Sequence, residues 1–121
     1  MRVLTVDDSR TILAMLHHTL SNAGFEVLQA EDGQKGLDVL ATENVDVVIT
    51  DINMPYVSGM ELIHIIRGEL GLHTPVIVLT SAGLEKTELN AFEIGASEFM
   101  TKPFSLPVLA ARVEKLFQAS R

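Results

Sequence analysis

At 121 residues the chain fits one domain, large enough to bury a core without covalent staples. The absence of cysteine excludes a disulfide framework and a thiolate metal site, and agrees with a reducing cytosol. The formal charge is −7 with the basic residues scattered, so the basic face that direct nucleic-acid binding needs is missing.

The first apolar run, Arg2–Val6, reads as a strand and ends on the acidic pair Asp7-Asp8. It begins at once, without the basic and apolar segments of a leader peptide, and no stretch of the chain approaches a membrane span. A cytoplasmic domain with no membrane contact is the expectation. Ser9–Ala23 follows as a helix, with Ile12, Leu13, Leu16 and Leu20 on one face, Ser9 as N-cap and Gly24 as the left-handed stop. Phe25–Ala30 is the second strand and Gly33–Thr42, with Leu37, Leu40 and Ala41, the second helix. Val45–Thr50 is nearly continuous Val and Ile, as in a parallel strand covered on both faces, and it leads into Asp51-Ile52-Asn53-Met54-Pro55. Ser58–Gly68 is a third helix with Leu62, Ile63 and Ile66 inward. Pro75–Thr80 is a fourth strand of the same apolar kind. Leu84–Ile94 is the poorest helix, its apolar residues Leu84, Leu89, Phe92 and Ile94 set among Glu85, Lys86, Glu88 and Glu93; a helix that buries little shifts cheaply. Gly95 stops it. Glu98–Thr101 is the last strand, followed by Lys102-Pro103 and by Ser105–Ala119, a helix capped by Ser105 with Leu109, Val113, Leu116 and Phe117 on one side, opposite Arg112 and Lys115.

This alternation predicts an α/β fold, (βα)5, as a doubly wound parallel five-stranded sheet with right-handed crossovers over residues 1–121. Open sheets of this kind place their chemistry beyond the strand C-termini. An order 2-1-3-4-5, the natural guess for such a sheet, would make strands one and three neighbours, so that Asp7, Asp8 and Asp51 meet there and Lys102 joins them from strand five. Three carboxylates and one ammonium leave roughly −2, and like charges so close resist ionising together. A Mg²⁺ ion removes that penalty, favours carboxylate oxygens and water, and bridges to phosphoryl oxygens. Asp51 is the better nucleophile, because the adjacent pair Asp7-Asp8 is placed to hold the ion. The Thr80 hydroxyl and the Lys102 charge can reach a phosphoryl oxygen. A cis Lys102–Pro103 bond, at about 0.5–1 kcal/mol, would aim the ammonium inward.

Taken together, Asp7-Asp8, Asp51-Ile52-Asn53-Met54-Pro55 with Gly59, Thr80-Ser81-Ala82 and Lys102-Pro103-Phe104 resemble a response-regulator receiver domain of the CheY type, over essentially the whole chain. The resemblance implies a flavodoxin-like sheet of order 2-1-3-4-5. It implies that Asp51 is the phosphoacceptor, charged from a sensor histidine kinase or a histidine phosphotransfer protein. It implies Mg²⁺ held by Asp8, Asp51 and the main-chain carbonyl of Asn53, with Asp7 orienting metal-bound water. Thr80 and Phe99 become the switch pair, Phe99 standing where many chemotaxis members have tyrosine, and Lys102 completes the catalytic set with Asp51 and Thr80. Asn53 and Ala82 fall where the family tunes hydrolysis of the acyl phosphate. The implied output is a protein-binding surface on the fourth helix, fifth strand and fifth helix, used by a downstream target, with the protein a monomer or a phosphorylation-dependent dimer.

Blander readings exist for each residue alone. Asp7-Asp8 suits a helix N-terminus, Asp51 an Asx-turn, Thr80 a strand filler, Phe99 a core aromatic and Lys102 a surface position. The set in order outweighs them. His17, His18, His64 and His73 lack the carboxylate neighbours of a functional histidine. Two other activities are less favoured. An aspartate-nucleophile phosphatase needs a second acid two residues after the nucleophile, where this chain has Asn53. A flavin carrier needs a Ser/Thr/Gly phosphate loop after strand one, where this chain has Asp7-Asp8-Ser9. Met1 directly before the first strand favours a free-standing domain over a receiver cut from a longer regulator with a DNA-binding or enzymatic effector.

Overall fold

A computed structural model describes residues 1–81 and 85–119, with the backbone alone for residues 85 and 86. Ala82 and Leu84, singled out in the sequence, lie outside the described residues. Five strands alternate with five helices: β1 (Arg2–Val6), α1 (Arg10–Asn22), β2 (Glu26–Ala30), α2 (Gly33–Thr42), β3 (Val47–Asp51), α3 (Gly59–Arg67), β4 (Val76–Thr80), α4 (Glu85–Glu93), β5 (Glu98–Thr101) and α5 (Leu106–Ala119). The sheet is parallel throughout, in the order β2-β1-β3-β4-β5. The expected order is therefore observed, and β1 and β3 are neighbours.

The two faces of the sheet bury different helices. Leu4, Val6, Val48, Val76 and Val78 face α2, α3 and α4 through Leu40, Leu62, Ile63, Ile66 and Ala91. Val3, Val47, Ile49, Ile77 and Leu79 face α1 and α5 through Leu16, Leu20, Leu109 and Val113. The period of two along each strand divides β1 and β4 cleanly between these layers. β3 and β4 are buried at every position, which is why they read as nearly continuous Val/Ile/Leu up to their polar ends.

Caps fix the helix starts. Ser9 Oγ accepts from Ile12 N–H, Ser58 Oγ from Glu61 N–H and Ser105 Oγ from Val108 N–H. Asp32 caps α2 through Lys35 N–H, a cap that the sequence reading passed over. Gly24 and Gly95 both have positive φ, as expected of helix stops.

Two expectations shift. β3 starts two residues later than the apolar run and takes in Asp51, which pairs with Leu79. Ala41 is exposed, and α2 instead turns Gly33 and Gly36 inward, letting the helix lie close on Val6. Among the described side chains of α4 the buried one is the small Ala91, while Leu89 and Phe92 are 56% and 40% exposed. Ala91 and, just past the helix, Ile94 pack into the core on this side of the sheet, with two large apolar side chains left largely in solvent. No described helix is long and apolar enough to cross a membrane.

Candidate functional site

β1 delivers Asp7. Its N–H donates to the Ala30 carbonyl, so the strand ladder runs one residue past Val6 before the chain turns. The side chain is 1% exposed and fully engaged: Oδ1 accepts from Ser9 N–H at 2.9 Å and Oδ2 from Lys102 Nζ at 3.1 Å. Asp8, by contrast, is exposed. One acid is thus built into the wall of the cleft and the next is free to meet an ion.

β3 delivers Asp51, which is 8% exposed. Oδ1 accepts from Ile52 N–H at 2.8 Å and lies 3.7 Å from Lys102 Nζ. Its main-chain carbonyl accepts from Thr50 Oγ1 at 2.9 Å. The Lys102–Pro103 peptide is cis, and the Lys102 ammonium, from the end of β5, stands between Asp7 and Asp51. Lys102 N–H also donates to the Thr80 carbonyl at 2.7 Å, tying the end of β5 to that of β4.

The electrostatics follow from burial. Loss of water raises the Asp51 carboxyl above its ordinary value; the Lys102 ammonium opposes this, Asp7 adds to it, the Ile52 N–H opposes and Asp8 adds. Burial and like charge therefore outweigh the single nearby cation. Carboxylate oxygens of Asp7, Asp8 and Asp51 all lie within 4.8 Å of one another. Three hard oxygen donors with one ammonium for charge balance fit Mg²⁺, whose ligands are carboxylates and water. Asn53 is exposed on the loop two residues beyond Asp51.

Thr80 and Phe99 share a face. Val78 pairs with Phe99 and Thr80 with Thr101, so Thr80 and Phe99 are diagonal neighbours on the side that carries α4. Thr80 is buried, and Phe99 is half-buried against the α2–α3–α4 layer. All four histidines are exposed and none approaches the acids.

A family model described as response regulator receiver domain matches residues 3–114. The chain belongs to that family. It is 33% identical over 119 residues to the alkaline phosphatase synthesis transcriptional regulatory protein PhoP of Bacillus subtilis, covering 98% of this chain and 49% of PhoP. The chain spans about half the length of the curated relatives it matches. Among solved structures it is similar to the Francisella response regulator 1452 receiver domain, with TM-score 0.95 and 31% identity over 99% of this chain and 98% of that one. It is also similar to the chemotaxis response regulator CheY4 of Vibrio cholerae, with TM-score 0.88 and 34% identity over 95% of this chain and 97% of that one.

The receiver fold explains one residue that the motif included without a reason. Gly59 N–H donates to the Ile52 carbonyl at 2.8 Å, and a Cβ on Gly59 would fall on the Asp51 carbonyl oxygen and 2.9 Å from Ile52 Cα. The start of α3 thus packs directly on the backbone of the central acid. Gly59→Ala must push that backbone, and we expect a loss of about 1–3 kcal/mol, the usual cost of overpacking, as a lower urea midpoint. An unchanged midpoint would show that the contact relaxes freely.

Proposed function

We propose that this receiver accepts a phosphoryl group on Asp51 from the phosphohistidine of a sensor kinase or a histidine phosphotransfer protein, in the cytoplasm, and that the transfer remodels a protein-binding surface on α4, β5 and α5. The supporting observation is the placement of Asp51: a buried strand-end carboxylate flanked by one ammonium and two acids.

In the proposed step an Asp51 carboxylate oxygen attacks phosphorus, the P–N bond to the donor imidazole breaks, and its electron pair leaves on the ring nitrogen. The product is an acyl phosphate. Asp8, Asp51 and the Asn53 carbonyl would hold Mg²⁺, with Asp7 orienting its water; the ion supplies charge neutralisation for the phosphoryl oxygens. Lys102, 3.7 Å from Asp51 Oδ1, supplies a second positive charge. Its hold on Asp7 also keeps Asp7 from drifting toward the nucleophile. The Thr80 hydroxyl, at the end of β4, donates to the new phosphoryl group. Phosphorylation adds roughly −1.5 to −2 charge, which biases Thr80 and, across the shared face, Phe99. Leu89 and Phe92 supply the apolar part of the output surface, for a downstream target or a second copy formed on phosphorylation.

PhoP is by name a transcriptional regulator, and half of it lies outside the aligned region. A receiver joined to such an effector is the second reading of the whole protein's output. The absence of direct nucleic-acid contact is proposed for this domain alone, from its charge of −7.

The test is hydrogen exchange with and without Mg²⁺ and beryllofluoride, a phosphoryl analogue. Amides in residues 87–93 should change protection on addition, while α1 stays constant. No change in that segment sinks the switch.

A further inference from the structure

The carboxyl end of α3 carries a cation with no ionic partner among the described residues. Arg67 is half-buried, and burial lowers its guanidinium below the ordinary arginine range without deprotonating it. Four of its N–H groups reach three main-chain carbonyls. Nε and Nη2 converge on Gly95 at 3.1 and 2.8 Å. Nη1 donates to Leu72 at 3.0 Å and Thr74 at 2.7 Å. Leu72 and Thr74 belong to the connection from α3 to β4. Gly95 is the turn between α4 and β5.

A second observation points at the same contact. A Cβ on Gly95 would stand 2.8 Å from Arg67 Nε and 2.9 Å from its Cγ. Gly95 is therefore glycine twice over, for its φ of +112° and for the side chain lying against it. Around it the chain is held further. Ala96 N–H donates to Ala91, Ser97 N–H to Val76, and Val76 N–H to Ser97 Oγ. The carboxyl end of α4 is thus tied to α3 and to the start of β4. Among the described side chains of α4 Ala91 alone is buried, and Leu89 and Phe92 stand largely in solvent.

We propose that Arg67 is a positioning residue that pins the α4–β5 turn, so that α4 swings about Gly95 when the switch operates and β5, with Phe99, keeps its register against β4. This rests on the phosphorylation reading above for the swing, though not for the pin. A lysine cannot do the same work, because one ammonium cannot span three carbonyls in a plane.

The experiment compares amide hydrogen exchange in wild type, Arg67→Lys and Arg67→Met, each with and without Mg²⁺ and beryllofluoride. Without ligand, both substitutions should speed exchange of residues 95–97 by about tenfold or more, as expected from losing even one hydrogen bond to a charged donor. With ligand, wild type should respond in residues 87–93 and stay constant in 95–97. In both variants the response should spread through 95–97. Exchange at 95–97 unaltered by substitution overturns the pin. A wild-type response as large at 95–97 as at 87–93 overturns the pivot. Wild type that responds nowhere defeats the phosphorylation reading and the swing with it, while faster exchange in the variants would still support the pin. Arg67→Lys keeps charge and most of the bulk, so it carries the comparison where Arg67→Met fails to fold.

Discussion

Replacing Asp51 by asparagine should reduce labelling by acetyl phosphate to background and, in the same protein without metal, raise the melting temperature by about 2–8 °C, the shift that roughly 1 kcal/mol produces in domains of this size class. The two effects have one cause. The amide has nearly the carboxylate's shape and can still accept the Ile52 N–H that Oδ1 accepts at 2.8 Å, so the packing of β3 survives. It cannot form an acyl phosphate. It also removes a charge that burial and Asp7 oppose more strongly than Lys102 supports. Lys102 retains Asp7 at 3.1 Å, so no cation is orphaned by the change. Loss of reactivity with gain of stability marks a group kept for its chemistry. Labelling that survives would move the acceptor elsewhere, with Asp8, the exposed acid of the same cluster, the first candidate. A lower melting temperature would mean that the Lys102 attraction, at 3.7 Å, exceeds the penalty of burial.

Much of this was legible in the sequence for definite reasons. Buried parallel strands must be apolar on both faces, so β3 and β4 announced themselves, and the acids that end β1 and β3 stood out against them. The caps at Ser9 and Ser105 and the stops at Gly24 and Gly95 follow from backbone chemistry that any helix obeys. What stayed hidden was long-range. The hold of Ser9 N–H on Asp7 is local, but its use is to turn Oδ2 toward a lysine ninety-five residues away. Arg67 reads in sequence as an ordinary cation at a helix end, and only the meeting of two loops shows it as a bridge. The sparse apolar content of α4 foretold a helix that buries little, but not that its buried contact would be the small Ala91. The inward placing of Ala41 failed, because the closeness of α2 to β1 calls for glycine, and glycine carries no hydropathy signal.

Titrating Mg²⁺ into the unmodified protein should raise its melting temperature by roughly 10 °C at a free concentration near 100 times Kd, where linkage contributes about 2.7 kcal/mol. The rise should be steeper at pH 7.5 than at pH 5. The sign comes from Asp51. Its folded value is raised, so between the ordinary carboxylate range and the raised one the folded state binds more protons than the unfolded chain. Stability of the metal-free domain therefore falls as pH rises through that window, because ∂ΔG/∂pH takes the sign of protons bound unfolded minus folded. A divalent cation needs the ionised form, so its affinity climbs over the same window and offsets the loss. In Asp51→Asn both slopes should flatten, which separates the site from carboxylates elsewhere on a surface of charge −7. Calcium, larger and tolerant of more ligands, is the control: equal protection by both ions would point to general screening of that charge rather than to three oxygens within 4.8 Å. A metal-free domain that gains stability with rising pH through this window would reverse the sign for Asp51 and remove the electrostatic reason for a cation there. The crowding of Asp7, Asp8 and Asp51 is thus a quantity that two titrations, one of protons and one of magnesium, measure independently.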